Sequence, residues 1–212
     1  MAVLTSPVRE RKKRETWRLV HAAALRLMTE RGFDAVSVDD IVAAAGISRR
    51  TFFNYFAGKE SVVFDPDPDD PALWAALLAE RPAGEPIWES MREVLLGYTA
   101  AAAERMVLQR RVRLASPELA GCSRELADQF WVAVRQWAAS RDGAASRDGA
   151  ASRDGAASLD GLRLDLTVNA ARTVLNTSCP HWDAESGVAG LHELIRAGFA
   201  FMTPSLPERI TS

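Results

Sequence analysis

The sequence contains few residues of the kinds that build metal centres, disulfide frameworks and nucleophilic active sites. Only two cysteines and three histidines occur among its 212 residues. Cys122 and Cys179 stand far apart and outside any metal-ligand spacing, so neither a zinc site nor a disulfide framework is expected. His21, His181 and His192 lack a partner at the spacing of a zinc motif or a catalytic pair, and no glycine-rich phosphate loop occurs. We therefore expect neither an enzyme nor a bound metal or cofactor.

Long apolar runs are absent as well. No stretch approaches the roughly 20 apolar residues that a membrane span needs. The N-terminus does not pair a basic region with an apolar run, as a secretory signal would. These absences predict a cytoplasmic protein without membrane contact, and a hydrophobic content of 48% allows one large or two small domains.

Positive charge is distributed unevenly along the chain. Residues 1–60 hold 11 lysines and arginines against 7 acidic residues, a net charge of +4, whereas the remainder holds 15 against 21, a net charge of −6. All three lysines, Lys12, Lys13 and Lys59, lie in the first segment. A surface for an anionic partner is therefore expected in the N-terminal part, although ordinary surface charge would give the same count.

Helical periodicity dominates the sequence, and the alternation typical of strands is almost absent. We therefore predict an all-α fold, with an N-terminal three-helix helix-turn-helix domain followed by a C-terminal helical bundle. The predicted helices cover residues 9–31, 37–45, 48–56, 72–79, 85–105, 106–115, 117–139, 159–178 and 186–202, with a fourth helix near residue 60 that ends early.

The segment from residue 37 to residue 56 has the signals of two short helices joined by a tight turn. Ser37 is a good N-cap with acidic residues following in the first turn, Gly46 is a helix stop, and Ser48 is a second cap. This arrangement predicts a helix-turn-helix motif.

The second of these helices has two different faces. Phe52 and Phe56 recur at i and i+4 and share their side with Ile47, so they are expected in the core. Arg50 and Asn54 lie on the opposite face. The flanks of that face are formed by Arg49, Phe53, Thr51 and Tyr55.

This outward face suits the major groove of DNA. Arginine can pair with guanine edges, asparagine with adenine, and an aromatic edge can touch a thymine methyl group. Ser37 and Lys59 stand at helix starts, where backbone N–H groups already attract phosphate. A plain amphipathic helix in a bundle is the alternative, but it leaves an exposed Phe53 unexplained.

The stretch "FDAVSVDDIVAAAGISRRTFFNYFAGKESVV" resembles the DNA-binding domain of the tetracycline-repressor family, and the resemblance covers residues 9–63. It implies a repressor that binds a pseudo-palindromic double-stranded DNA operator as a homodimer, with a basic arm at residues 11–14. The implied groove, backbone and phosphate contacts are Ser37, Ser48, Arg49, Arg50, Thr51, Phe53, Asn54, Tyr55 and Lys59. Phe53 departs from the tyrosine that the family often has, which favours an apolar base contact there.

The chain is expected to divide into three parts. A DNA-binding domain at residues 1–63 is followed by an acidic, proline-rich hinge at 64–71 and by a ligand-binding and dimerisation domain at 72–212. The hinge, "DPDPDDP", lacks the glycine and glutamate of a calcium loop. Within the last domain, residues 138–161 repeat the hexamer "AASRDG" and are predicted to form a flexible linker.

The second half has apolar stripes that predict either a filled core or a ligand cavity. Bundles can enclose apolar or amphiphilic ligands between helices, and the segments "RVRLASPELAG" and "HWDAESG" resemble the subgroup with an acyl-CoA-like ligand-binding domain. The predicted effector contacts are Trp88, Met91, Leu95, Tyr98, Phe130, Val134, Trp137 and Leu175. The other possibility is a DNA-binding dimer with a filled core that answers to a protein partner or to no effector.

The last two predicted helices carry more apolar surface than a lone pair should expose. By resemblance, they form a four-helix bundle with the same helices of a second copy. The predicted interface residues are Leu162, Leu166, Val174, Leu191, Leu194, Ile195 and Phe199.

Overall fold

The computed structural model describes residues 7–65, 67–115, 124–147 and 154–203. These residues form ten α-helices and one short 3-10 helix, and no strand occurs among them. The all-α prediction is confirmed.

The helices follow one another with short connections over most of the described chain. They are α1 (Pro7–Arg31), α2 (Val38–Ala45), α3 (Arg49–Phe53), α4 (Lys59–Phe64), α5 (Asp70–Ala79), α6 (Ile87–Ala101), α7 (Ala103–Ala115), α8 (Arg124–Arg147), α9 (Asp154–His181) and α10 (Gly187–Met202). The 3-10 helix Ala184–Ser186 precedes α10.

The chain divides into two compact units. The N-terminal unit comprises Met1–Pro68 and Glu104–Arg124, and the C-terminal unit comprises Asp69–Ala103 and Glu125–Ser212. The N-terminal unit is therefore larger than the predicted DNA-binding domain, because α7 belongs to it. Leu108 and Val112 of α7 are buried in the same core as α1 to α4.

Local sequence signals determine the geometry of α2. The hydroxyl of Ser37 accepts a hydrogen bond from the Asp40 N–H at 3.1 Å, and the Asp40 carboxylate accepts one from the Ser37 N–H at 2.9 Å, which forms a capping box. Gly46 ends the helix at φ +64, a left-handed conformation that favours glycine. The predicted boundaries of this helix are confirmed.

The next two helices are short. The helix α3 begins after its N-cap Ser48, as predicted, but ends at Phe53 with Asn54 as its C-cap, three residues before the predicted end. The helix α4 ends at Phe64 because Asp65 adopts an extended conformation before the proline-rich segment. The early end of α4 agrees with the prediction.

In the C-terminal unit, α5, α6, α8, α9 and α10 pack around a second apolar core. The close approach of α10 to α9 depends on Gly198, where an added Cβ would lie 2.6 Å from Cγ1 of Val174. Val174 and Ile195 are both buried. Any larger residue at position 198 would therefore push the two helices apart.

The structure contradicts the predicted flexible linker at both ends of the repeat of residues 138–161, while residues 148–153 lie outside the described part of the chain. The helix α8 continues through its first copy to Arg147, and α9 begins at Asp154. Ala138 is completely buried, which anchors the first copy to the core. A helix that is already anchored can continue through one glycine in six residues, because each glycine costs only about 1 kcal/mol relative to alanine.

Arg141 holds the first copy of the repeat against the loop after α5. Its guanidinium donates to the carbonyls of Arg81 and Glu85, each at 3.4 Å, and to the carbonyl of Pro82. It also lies 4.8 Å from the ring centroid of Trp137. One side chain thus donates hydrogen bonds to three backbone carbonyls of the loop between α5 and α6.

Arg141→Ala should lower the free energy of unfolding of the C-terminal unit by about 1 to 3 kcal/mol, because these charge-assisted hydrogen bonds are lost together. Urea unfolding measures the change. Arg163→Ala is the matched control, since its ion pair with Asp160 is exposed and contributes little. Equal effects of the two substitutions would contradict the role given to Arg141.

Candidate nucleic-acid interface and predicted effector site

The orientation of α3 is set by two buried rings. Phe52 and Phe56 expose 0% and 1% of their surface, and their centroids lie 5.5 Å apart. The ring of Phe56 is also 5.8 Å from Trp17 of α1. These contacts bury the face that was predicted to be core and direct the opposite face of α3 to solvent.

The outward face carries Arg50, Phe53 and Asn54, all exposed. Phe53 remains 50% exposed, and its ring stands edge-on to Phe52 with centroids 5.3 Å apart. Among the described residues, no carboxylate forms an ion pair with Arg50. A guanidinium, an amide and an exposed ring therefore stand together on α3 and its C-cap, which is the combination that reads base edges in the major groove.

Arg49 has a partner within the chain. Its Nη1 lies 3.2 Å from Oδ2 of Asp39 in α2, and both side chains are largely exposed. An exposed pair of this kind contributes little to stability. It fixes the direction of the guanidinium while leaving most of it accessible.

The hydroxyls at the start of α3 interact with each other. Ser48 accepts from the Thr51 N–H at 3.0 Å, and the Ser48 and Thr51 hydroxyl oxygens are 2.8 Å apart. Tyr55 is half-buried, with its ring 6.5 Å from Phe56. Of the predicted contacts on α3 and directly after it, Thr51 and Tyr55 are therefore the less accessible ones.

The Ser37 side chain caps α2, although it was predicted to contact a DNA phosphate. Its hydroxyl donates to the carboxylate of Asp40, and this hydrogen bond holds the pKa of that carboxyl below its usual value. A phosphate contact by this hydroxyl would require its hydrogen to be redirected away from the Asp40 carboxylate. The phosphate contact by Ser37 stays a prediction, and it would compete with the capping interaction.

Lys59 also has an internal role. Its Nζ donates to the carbonyl of Phe33 at 3.1 Å and to that of Val36 at 3.3 Å, and it lies 4.3 Å from the Phe33 ring centroid. These contacts tie the start of α4 to the loop between α1 and α2. A substitution of Lys59 would therefore disturb the fold as well as any phosphate contact.

Several residues of the N-terminal unit were missed by the sequence analysis because their partners are distant in sequence. The amide of Gln109 in α7 donates to the carbonyl of Val63 at 2.7 Å. Arg105 is buried and lies 3.8 Å from the carboxylate of Asp67, and Arg113 stacks 5.1 Å from the centroid of Phe64. No local pattern signals these contacts between α7 and the end of α4.

His21 was considered in the sequence only as a metal or catalytic candidate. Its ring stacks on Trp17 with centroids 4.5 Å apart. Burial, followed by the positive charge of Arg105, lowers the pKa of His21 to about 4, although Asp67 opposes the shift. Among the described residues, Nε2 has no hydrogen-bond partner. The imidazole is thus held neutral in the core.

The predicted effector residues do not line one common space. Met91, Leu95, Phe130 and Val134 are almost completely buried in the core. The ring of Tyr98 stacks on Phe130 at 5.4 Å. Their close contacts are those of a packed bundle interior.

The other predicted effector residues have different surroundings. The indole N–H of Trp88 donates to the Thr203 hydroxyl at 3.2 Å, and its ring lies 4.3 Å from Phe199. Trp137 lies beneath Arg141, and Leu175 is half-buried on α9. Trp74, which was not among the predicted contacts, packs edge-on against Tyr98 and Phe130.

A groove of about 400 Å³ lies between α8 and α9. None of the eight predicted effector residues lines it. Its walls are formed by Asp128, Trp131, Val132, Arg135, Asp165, Val168, Asn169 and Arg172.

The predicted dimer interface needs a correction. Val174, Leu191, Ile195 and Phe199 expose between 0% and 5% of their surface, because they pack within the C-terminal unit. They cannot offer surface to a second copy. Leu162 and Leu166 are more than half exposed, and Leu194 is half-buried.

Comparison with known proteins identifies the N-terminal segment. The family model described as bacterial regulatory proteins, tetR family, matches residues 21–65. A Mycobacterium tuberculosis protein named as the mycofactocin biosynthesis transcriptional regulator MftR is 32% identical over 112 residues, which are 51% of this chain and 57% of that relative. The chain thus spans little more than half the length of this relative, and less of the next three curated relatives.

Two solved structures share the fold. A TetR-family transcriptional regulator from Syntrophomonas wolfei has a TM-score of 0.59 at 17% identity, covering 94% of this chain and 100% of its own. Thermus thermophilus FadR, described as a TetR family transcriptional repressor in complex with lauroyl-CoA, has a TM-score of 0.55 at 21% identity, covering 91% and 96%.

The matched segment contains the helix-turn-helix formed by α2 and α3, which is the part of the chain that presents Arg50 and Asn54. The matched relatives are transcriptional regulators and not enzymes, in agreement with the prediction. None of the helices in the described segments combines the length and apolar character that crossing a membrane requires. Residues 21–65, which contain α2 and α3, thus match the family model of the tetR family of bacterial regulatory proteins, and about half of the chain is similar to a transcriptional regulator.

Proposed function

We propose that this protein is a ligand-responsive repressor that binds a pseudo-palindromic DNA operator as a homodimer. The observation that carries the proposal is the outward face of α3. Arg50 and Asn54 are exposed there, while Phe52 and Phe56 fix the helix from behind. A rigid helix with exposed donors is pre-organised for the major groove, so little ordering is required when DNA binds.

Arg50→Ala should weaken binding to the preferred operator by about 1 to 3 kcal/mol and relax base preference at one position of each half-site. The loss reflects a pair of hydrogen bonds to one base rather than a general loss of charge. Operator sequences selected from a random DNA library, followed by titration at fixed salt, measure both effects.

Arg163→Ala in the C-terminal unit is the control for the loss of one exposed arginine. It should leave both operator affinity and base preference unchanged. If Arg50→Ala weakens all sequences equally, Arg50 contacts phosphate and the base-reading assignment fails.

A dimer is required by the size of the recognition surface. One such unit contacts only a few base pairs, so selective binding needs two copies related by a two-fold axis. The exposed side of α10 offers an apolar stripe at i, i+4, i+7 and i+11 spacing. It consists of Gly190, Leu194, Ala197 and Phe201, of which Phe201 is 81% exposed. We place the dimer contact on this stripe together with Leu162 and Leu166 of α9.

An apolar or amphiphilic effector, of acyl-CoA type, is proposed for the C-terminal unit. The support is the shared fold with Thermus thermophilus FadR, which was solved with lauroyl-CoA. The effector would alter DNA affinity only through a difference in its binding to the two states of the protein. A filled core without an effector is the alternative, since Met91, Leu95 and Phe130 are tightly packed.

Titration of the operator complex with lauroyl-CoA separates these possibilities. A change in operator affinity, accompanied by a change in the fluorescence of Trp88 or Trp137, supports the effector. If operator affinity and fluorescence both stay constant at saturating lauroyl-CoA, the result favours a filled core or a protein partner.

A further inference from the structure

The helices α8 and α9 carry the same side-chain pattern on the faces that meet. Each has an aspartate, an apolar residue three positions later and an arginine seven positions later. On α8 these are Asp128, Trp131 and Arg135, and on α9 they are Asp165, Val168 and Arg172. The positions lie on one side of each helix, because i, i+3 and i+7 share a face.

The two patterns pair in antiparallel order. Nη2 of Arg172 lies 2.6 Å from Oδ1 of Asp128. Nε of Arg135 lies 2.6 Å from Oδ1 of Asp165, and its Nη2 lies 3.3 Å from the other carboxylate oxygen. The groove between the helices is therefore closed at each end by an ion pair. At one end α8 supplies the aspartate and α9 the arginine, and at the other end α8 supplies the arginine and α9 the aspartate.

The centre of this face is apolar. Trp131 and Val168 form the floor of the groove and are almost completely buried. Val132 stands at the rim and is 55% exposed. A second molecule placed on this face would remove the Val132 side chain from water.

Exposed apolar side chains are concentrated on these two helices. Among the described residues, the C-terminal unit exposes four large hydrophobic side chains, and three of them lie on α8 or α9. These three are Val132, Leu162 and Leu166. Of these, Val132 lines the groove, whereas Leu162 and Leu166 belong to the dimer contact proposed above.

The charge pattern matches itself under a two-fold rotation. When a second copy is laid face to face with its α8 antiparallel to the first α8, residue 128 of one copy faces residue 135 of the other. Every aspartate then meets an arginine. The rotation axis passes midway between these positions, so that Val132 meets its own counterpart. The face is electrostatically complementary to itself, as an isologous contact requires.

We propose that the face of α8 and α9 around Val132 is a self-association surface that binds a second copy of this chain, α8 against α8. This contact is additional to the dimer proposed on α9 and α10. It would join two DNA-bound dimers into a larger assembly.

Two charge-exchanged variants test the contact without removing the ion pairs within the chain. The first combines Arg135→Asp with Asp165→Arg, and the second combines Asp128→Arg with Arg172→Asp. In each variant, both intrachain pairs keep one aspartate and one arginine. Between copies, however, like charges now face each other on α8 and on α9.

Each variant alone should self-associate roughly tenfold more weakly than the wild type, or worse, in sedimentation velocity at low salt. An equimolar mixture of the two variants should restore association, because every charge again meets its opposite. Melting temperatures close to that of the wild type verify that both variants fold.

The outcomes also separate this contact from the operator-binding dimer. The proposal is supported if the wild type forms an assembly larger than a dimer, and if the variants remain dimers that bind operator but no longer form that assembly. Monomeric variants that reassociate when mixed also support this surface, and they overturn the α9–α10 dimer instead. The proposal is overturned if each variant associates as the wild type does, or if neither the wild type nor the mixture forms the assembly.

Discussion

Acidification from pH 7 to pH 4 should reduce the stability of the N-terminal unit by up to about 3 kcal/mol through His21 alone. Burial lowers the pKa of this histidine from 6.5 to about 4 in the folded protein. Each unit of pKa difference corresponds to about 1.4 kcal/mol. The unfolded chain takes up a proton near pH 6.5, whereas the folded chain does not. The stabilisation is therefore complete above pH 6.5 and is lost progressively as the pH falls towards 4.

The cause of this expected loss is the surroundings of His21. Its ring is stacked on Trp17, and the buried guanidinium of Arg105 lies on the neighbouring helix α7. Protonation would place a second positive charge in a core where Nε2 has no partner among the described residues. The carboxylate of Asp67 compensates for this charge only in part.

Urea unfolding of the wild type and of His21→Phe over this pH range measures the effect. Phenylalanine retains a ring beside Trp17 but does not titrate, so the variant should lose about 3 kcal/mol less between pH 6.5 and 4. His181→Phe, at an exposed position, is the control and should follow the wild type. Parallel curves for wild type and His21→Phe would show that His21 does not govern the acid response.

The features that the sequence predicted well are those determined by neighbouring residues. The capping box of Ser37, the left-handed Gly46 and the cap at Ser48 are local interactions, so the start of each short helix could be located. The buried side of α3 followed from the spacing of Phe52 and Phe56. The exposed side of that helix could then be deduced, and with it the candidate DNA interface.

Features that depend on distant residues could not be predicted. Lys59 seemed available for phosphate because nothing nearby in sequence reveals that the carbonyls of Phe33 and Val36 accept its hydrogen bonds. The repeat was read from its glycines, but Arg141 is held by carbonyls about 60 residues earlier in the chain. In both cases, the role of the cationic side chain depends on backbone carbonyls that are distant in sequence.

The apolar side of α10 shows a further limit. Helical periodicity identified Leu191, Ile195 and Phe199 as one face, and the structure confirms that they share a face. Periodicity does not tell which molecule covers that face. The covering surface belongs to the same chain, through α9 and α6, so the residues are core rather than interface.

Neighbouring positions on α10 should therefore respond in opposite ways to the same substitution. Leu194 is half-buried and belongs to the exposed stripe that ends at Phe201, whereas Ile195 is completely buried. Leu194→Asp should leave the fold intact but separate the proposed dimer. Operator affinity should then fall by roughly a thousandfold, to the level of non-specific binding, because one half-site alone is too short for selective recognition.

Ile195→Asp should instead destabilise the C-terminal unit by about 4 kcal/mol or more, since it buries an unpaired carboxylate against α9. Light scattering and circular dichroism on both variants distinguish the two effects. Leu194→Asp should be a folded monomer, and Ile195→Asp a protein with reduced helical signal. A Leu194→Asp variant that stays dimeric places the dimer contact elsewhere. The charge-exchanged variants of α8 and α9 then test whether the remaining association uses the groove around Val132.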